Sequence, residues 1–282
     1  MEYLKWLKKR LKKQIYKLYV TGENMIKGVL FDLDDTLYNS SSFASRARKE
    51  ALRAMIDAGL KSTEEDALKI LNKIIEQKGS NYGGHFNDLV KAVNGTYDPK
   101  IITMGIITYH NVKFALLRPY SDTMTTLMQL RSMGLSLGIL TDGITIKQWE
   151  KLIRLGIHPF FDEVITSEEY GLGKPNIEFF NYGLKKINLK PEEVVYVGDR
   201  ADKDMVPAKN VGMTTVRILQ GKYSEIPDDI SDYSIKNISE LSKIIKTQYH
   251  SIAISDHAPT SLDLALFTRP QPLRPWRFNS NF

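Results

Sequence analysis

The stretch Phe31-Asp-Leu-Asp-Asp-Thr-Leu37 constrains this chain more than any other. It closes an apolar run from Met25 to Leu33, in which Ile26, Val29, Leu30, Phe31 and Leu33 are broken only by Lys27 and Gly28. Such a run fits a buried strand of a parallel sheet. Asp32 and Asp34 fall where that strand should end, and Thr36 follows. In open α/β sheets ligands bind at the carboxyl ends of the strands. Two carboxylates brought together there lose hydration and repel each other unless a cation or hydrogen bonds compensate. An isolated pair of acids is usually a turn. Here the strand ahead of it gives the chemical reading equal weight, and the rest of the chain decides.

The 282 residues suffice for one sizeable core or two small ones, and 42% hydrophobic with 26% charged residues is ordinary for a globular protein. There are no cysteines, which excludes disulfides and thiolate metal sites and fits a reducing compartment. No run of about 18 apolar residues is present, so a spanning helix is not expected. The basic, interrupted start does not read as a signal peptide, so a cytoplasmic location is expected. The net charge of +6 is concentrated at the start: residues 1–24 hold seven basic side chains against Glu2 and Glu23, leaving only +1 for the remainder. A nearly neutral body gives no ground for nucleic-acid binding.

Residues 1–24 read as a basic amphipathic helix, with Leu4, Leu7, Leu11, Ile15 and Leu18 along one face. Packing on the body, or on a second copy in a homodimer, is preferred over a membrane surface or an acidic partner. After Thr36 the pattern turns helical. Ser40–Ser42 offers caps for a helix through Ala58, Ser62-Thr-Glu-Glu65 reads as a capping box for the next, and shorter helices are predicted at 86–93 and 98–117. Residues 38–117 thus form a helical insert. From Ser121 helices and strands alternate: strands at Leu135–Leu140, Glu163–Thr166, Val194–Val197, Thr214–Ile218 and near Asp232–Ile235, with a last helix at 238–246. This predicts a Rossmann-like, doubly wound parallel α/β sheet built from residues 25–37 and 118–246. Residues 247–282, rich in Pro, Ser and Asn, read as a disordered tail.

Four polar signals now stand at strand ends or in the loops after them: Asp32/Asp34/Thr36, Thr141, Lys174, and Asp199/Asp204. In this order they resemble the haloacid dehalogenase superfamily of phosphohydrolases. D-x-D-x-T matches Asp32, Asp34 and Thr36; a Thr after an apolar strand matches Thr141; Lys-Pro ahead of a helix matches Lys174; G-D-x-x-x-x-D matches Gly198, Asp199 and Asp204. The insert resembles that family's helical cap. Gly79–Phe86, Tyr109–Phe114 and Thr141-Asp-Gly143 look most like its archaeal members described as glyceraldehyde-3-phosphate phosphatases, although Ile144 stands where such members carry Asn.

The resemblance implies a Mg²⁺-dependent phosphomonoesterase of small phosphorylated metabolites, working through an aspartyl-phosphate. Asp32 would be the nucleophile, and Asp34 the acid and then base, with the higher proton affinity of the two. Mg²⁺ would be held by Asp32, the Asp34 backbone carbonyl and Asp199, with Asp204 just outside. Thr141 and Lys174 would bind the phosphoryl oxygens. Asp35 and Asp202 are expected to be solvated or capping acids, and Asp142 to steady its turn. In the cap, Tyr82, His85, His110 and Lys113 are the candidates for substrate contact, each set against an ordinary packing role. The competing readings are a haloacid dehalogenase proper, against which the acid Asp34 argues because halide needs no proton, and a non-catalytic scaffold on the same core.

Overall fold

The computed structural model describes residues 25–253. The calls on residues 1–24 and on most of 247–282 lie outside that range.

Strand β1 (Gly28–Phe31) pairs in parallel with β2 (Ser136–Thr141) on one side and β4 (Val194–Gly198) on the other. With β3 (Glu163–Thr166), β5 (Thr214–Ile218) and β6 (Tyr233–Ile235) the sheet is six-stranded and parallel, in the order β3-β2-β1-β4-β5-β6. β1 is completely buried and alternates its apolar side chains between two cores. Val29 and Phe31 join Leu137, Ile139, Val195 and Val197 on one face, beneath helices α5 (Thr123–Ser132), α6 (Thr145–Arg154) and α10 (Leu241–Ala253). Leu30 joins Leu140, Tyr196, Phe179 and Phe180 on the other, where α8 (Ile177–Ile187) and α9 (Val206–Val211) pack. A four-residue helix, α7 (Ser167–Tyr170), follows β3. The doubly wound parallel sheet expected from the alternation is present.

The helices between β1 and α5 are α1 (Ser40–Asp57), α2 (Glu64–Lys78), α3 (His85–Asn94) and α4 (Pro99–Leu116). They enclose a separate apolar core of Leu52, Met55, Leu71, Leu89, Val90, Ile101 and Ile102. Two caps lie one residue from where the sequence patterns put them. Asn39 rather than a serine caps α1, accepting from Ser42 N at 2.9 Å. Thr63 caps α2 with Asp66 as its partner, so the reciprocal pair is Thr63–Asp66 and not Ser62–Glu65. The first turn of α1 thus starts one residue earlier than the pattern put it and that of α2 one residue later. The last helix starts at Leu241, after a 3-10 turn at Ile238–Glu240, and runs to Ala253, longer than the pattern indicated; Leu241 and Ile245 bury against the sheet. Among the described residues no helix is long and apolar enough to cross a membrane.

Register fixes where the chemistry falls. Phe31 lies opposite both Ile139 of β2 and Val197 of β4, so the three central strands end at one edge. Asp32 is therefore level with Leu140 and Gly198, with Thr141 and Asp199 one residue further along at the same edge, and Asp32 N completes the ladder by donating to Val197 O at 2.8 Å.

Candidate active site

At this edge Asp32, Asp199 and Asp204 each present a carboxylate oxygen, all within 4.8 Å of one another, and all three residues are buried. Lys174 reaches them from the loop after α7. Its Nζ donates to Asp32 Oδ1 at 2.6 Å and to Asp204 Oδ1 at 2.7 Å. Two of the three carboxylates thus share one ammonium, and among the described residues Asp199 has no ion pair. Burial, opposed in part by Lys174 and reinforced by Asp204, pushes the Asp32 carboxyl up to about 7. Burial with the neighbouring Asp32 and Asp204 charges pushes Asp199 up to about 9. Lys174 moves up as well, because Asp204 and Asp32 outweigh the cost of its burial.

Local structure sets these positions. A five-residue π turn, Ala201–Met205, precedes α9 and turns Asp204 inward. There Tyr196 Oη donates to its Oδ1 at 2.9 Å and Arg200 N to its Oδ2 at 3.1 Å. Gly198 makes room: a Cβ there would lie 2.6 Å from Asp204 Cγ. The Lys174 loop is tied to the end of β2 by Lys174 N donating to Asp142 Oδ1 at 2.9 Å, the steadying role expected of Asp142. Thr36 donates its hydroxyl to Asp32 Oδ2 at 3.1 Å. Asp35 is buried in the left-handed region at φ +59° and accepts from both the N–H and the hydroxyl of Ser41, a capping acid rather than a solvated one. Asp202 pairs with Arg200. Thr141 is buried at the last position of β2.

Asp34 differs from the expectation. Its carboxylate receives both Oδ contacts from Lys151 Nζ, at 2.9 and 2.6 Å, and a further hydrogen bond from the Tyr38 hydroxyl. Burial raises its proton affinity, but Lys151, then Tyr38 and the charge of Lys113, hold the carboxyl below the usual carboxylate range. The order anticipated for the pair, Asp34 above Asp32, is therefore inverted. The physical reason is Lys151, which the sequence reading missed. Gln148, one turn earlier on α6, accepts from Lys151 at 3.1 Å and donates to Asp142 O at 2.8 Å. The only local signal was a Gln and a Lys three apart beside the buried Leu152.

The insert candidates separate into two groups. Lys113 lies within electrostatic reach of Asp34 and Lys151. His110, one turn earlier on α4, stacks on Phe114 with ring centroids 5.7 Å apart. Tyr82 and His85 meet edge to face at 5.3 Å, and His85 Nε2 lies 3.0 Å from Gly79 O. Tyr82 also sits under the Lys78 ammonium, so the contacts of this pair are with their own loop and helix ends, not with the carboxylates.

A family model described as haloacid dehalogenase-like hydrolase matches residues 29–218. The chain belongs to that family. It is 70% identical over 223 residues to the glyceraldehyde 3-phosphate phosphatase of Methanocaldococcus jannaschii, covering 79% of this chain and 98% of the relative. Among solved structures it is similar to the HAD phosphatase of Thermococcus onnurineus, at 29% identity and TM-score 0.60, covering 78% of this chain and 98% of that one. The HAD-hydrolase YfnB of Bacillus subtilis, solved bound to magnesium, shares the fold at 22% identity and TM-score 0.57, covering 78% and 99%. The enzyme is thus a phosphatase of the haloacid dehalogenase-like family.

Proposed function

We propose that this phosphatase hydrolyses small phosphorylated metabolites through an aspartyl-phosphate on Asp32, with glyceraldehyde 3-phosphate as its substrate. The observation that carries the reading is the buried set of Asp32, Asp199 and Asp204, with the ammonium of Lys174 paired to Asp32 and Asp204. A divalent cation fits there. The donors are all oxygen, and the raised proton affinities of Asp32 and Asp199 come first from burial and then from the neighbouring carboxylates, both of which a cation would offset. Asp32, Asp199 and the Asp34 backbone carbonyl would hold Mg²⁺, with Asp204 orienting Lys174 beside it. Bound there, the ion supplies positive charge to the phosphoryl oxygens.

The chain's own groups perform the remaining steps. Asp32 attacks phosphorus while Lys174 and the Thr141 hydroxyl neutralise the equatorial oxygens. Asp34 gives a proton to the departing alkoxide, then takes one from the water that opens the aspartyl-phosphate. Lys151 keeps Asp34 ionised in the free enzyme; the arriving phosphoryl dianion raises its proton affinity again, so that Asp34 takes up a proton from solvent before it gives one to the alkoxide. The insert acts as a cap over this edge, excluding water and limiting the leaving group to a few carbons. The identity with a named glyceraldehyde 3-phosphate phosphatase supports the choice of substrate.

Phosphate release from glyceraldehyde 3-phosphate, with and without EDTA, tests the reading directly. Three-carbon phosphates are expected to exceed nucleotides in kcat/KM, EDTA to stop turnover, and Asp32→Asn to abolish it. A tenth of wild-type kcat surviving in Asp32→Asn would remove Asp32 as the nucleophile.

A further inference from the structure

Arg217 carries a full charge inside the fold and is only 1% exposed. It lies on β5 between Val216 and Ile218, which face the core beneath α5, α6 and α10, so its own side chain points to the opposite face of the sheet. Opposite it on β4, in register, is Gly198. A buried cation lowers stability unless its donors are satisfied, and an apolar side chain of similar size often serves a fold as well. Three backbone carbonyls satisfy this one. Nε donates to Asp199 O at 3.0 Å, Nη1 to Ile226 O at 2.9 Å and Nη2 to Tyr223 O at 2.7 Å. Asp228 faces the guanidinium at 3.7 Å.

The first of these bonds bears on the active site. Asp199 O is one end of the Asp199–Arg200 peptide, and the other end, Arg200 N, donates to Asp204 Oδ2 at 3.1 Å. A planar group held at both ends keeps one orientation. The strand ladder fixes the chain as far as Gly198, so the backbone at Asp199, and with it the direction of the Asp199 carboxylate, is set by protein contacts alone. The loop on the other two bonds is anchored to the same place. The Arg200 guanidinium lies 4.5 Å from the Tyr223 ring centroid, and Nη1 donates to the Tyr223 hydroxyl at 3.3 Å. Gly221 meets the turn after Asp32: a Cβ there would lie 2.5 Å from Asp35 Cβ. Arg217 thus ties the end of β4 to a loop that also backs the turn at Asp35.

We propose that Arg217 is a positioning residue for the divalent-cation site, holding Asp199 O so that the Asp199 carboxylate stands ready for the ion. The proposal rests on the cation reading of Asp32, Asp199 and Asp204 above and adds to it a residue of the neighbouring strand. A guanidinium has no lone pair to give a metal, so its effect runs through Asp199.

Calorimetric titration of the full-length chain with Mg²⁺, without substrate, tests this. Arg217→Met combined with Asp228→Asn removes both charges together, and Asp228→Asn alone keeps the guanidinium on Asp199 O as the control. The double variant is expected to bind Mg²⁺ about 10–100-fold more weakly, the usual cost of losing a group behind a metal ligand, and the control to stay within about twofold of wild type. At saturating Mg²⁺ the double variant should recover kcat to within about threefold, which places the loss in ion binding. Arg217→Lys keeps a cation but not the planar fork. It is expected to weaken Mg²⁺ binding by less, and it decides the question if the double variant does not fold. An unchanged Mg²⁺ Kd in either Arg217 variant, whatever its urea midpoint, would make Arg217 a stabilising residue only and overturn the proposal. So would a Kd raised as far by Asp228→Asn as by the double variant, since the ion would then respond to the loop and not to Asp199 O. No Mg²⁺ binding in wild type would instead refute the cation site itself.

Discussion

Removing divalent cations while raising the pH should unfold this enzyme by its own active site. Asp32 and Asp199 bind protons more tightly when folded than the 3.8 of an ordinary aspartate, at about 7 and about 9. A carboxyl with a raised folded-state value favours the fold fully below its unfolded value, and that contribution is lost as pH rises through the folded one. The metal-free protein is therefore expected to lose stability steadily between about pH 4 and pH 9. The rise at Asp32 alone, from 3.8 to about 7, corresponds to ~4 kcal/mol over that window. For a domain of this size that is a fall in Tm of about 10 °C. A cation among Asp32, Asp199 and Asp204 cancels the repulsion, so saturating Mg²⁺ should flatten the curve. Differential scanning fluorimetry at half-unit pH steps, in EDTA and in Mg²⁺, measures this without any substrate. Superimposable curves across the whole range would mean that the three carboxylates hold no ion and that their charge is compensated otherwise.

Lys151→Met should let the Asp34 carboxyl rise, moving the basic limb of the kcat/KM profile, where Asp34 loses the proton the leaving group needs, to higher pH, while Lys151→Arg restores it. A profile unmoved in Lys151→Met would detach Asp34 from that limb. Gly198→Ala pushes a methyl against Asp204 and is expected to cost about 1–3 kcal/mol in urea unfolding, with a larger fall in activity than an alanine elsewhere in β4. A chain cut to Met25–Ala253 should stay folded and active, since every site residue lies inside it; insolubility would show that a terminal segment completes the fold. Tyr82→Ala should leave kcat/KM for three-carbon phosphates within about twofold, because its contacts are within its own loop.

The sequence by itself determined the sheet, the insert and the four polar signals. Strand and helix periods are local, so the apolar runs Met25–Leu33 and Leu135–Leu140 declared themselves as strands before any partner was known, and the strands formed are Gly28–Phe31 and Ser136–Thr141. The placing of Asp32, Thr141 and Asp199 at one edge followed from parallel pairing, which puts all strand ends on the same side. What Asp34 faces was not legible, because Lys151 lies 117 residues away and its approach depends on how α6 packs on the sheet. The same holds for the inward turn of Asp204, which a π turn and the bare backbone of Gly198 produce together. Periodicity reports which way a side chain faces on its own element; the sign and strength of the field it meets are set by the elements packed against it.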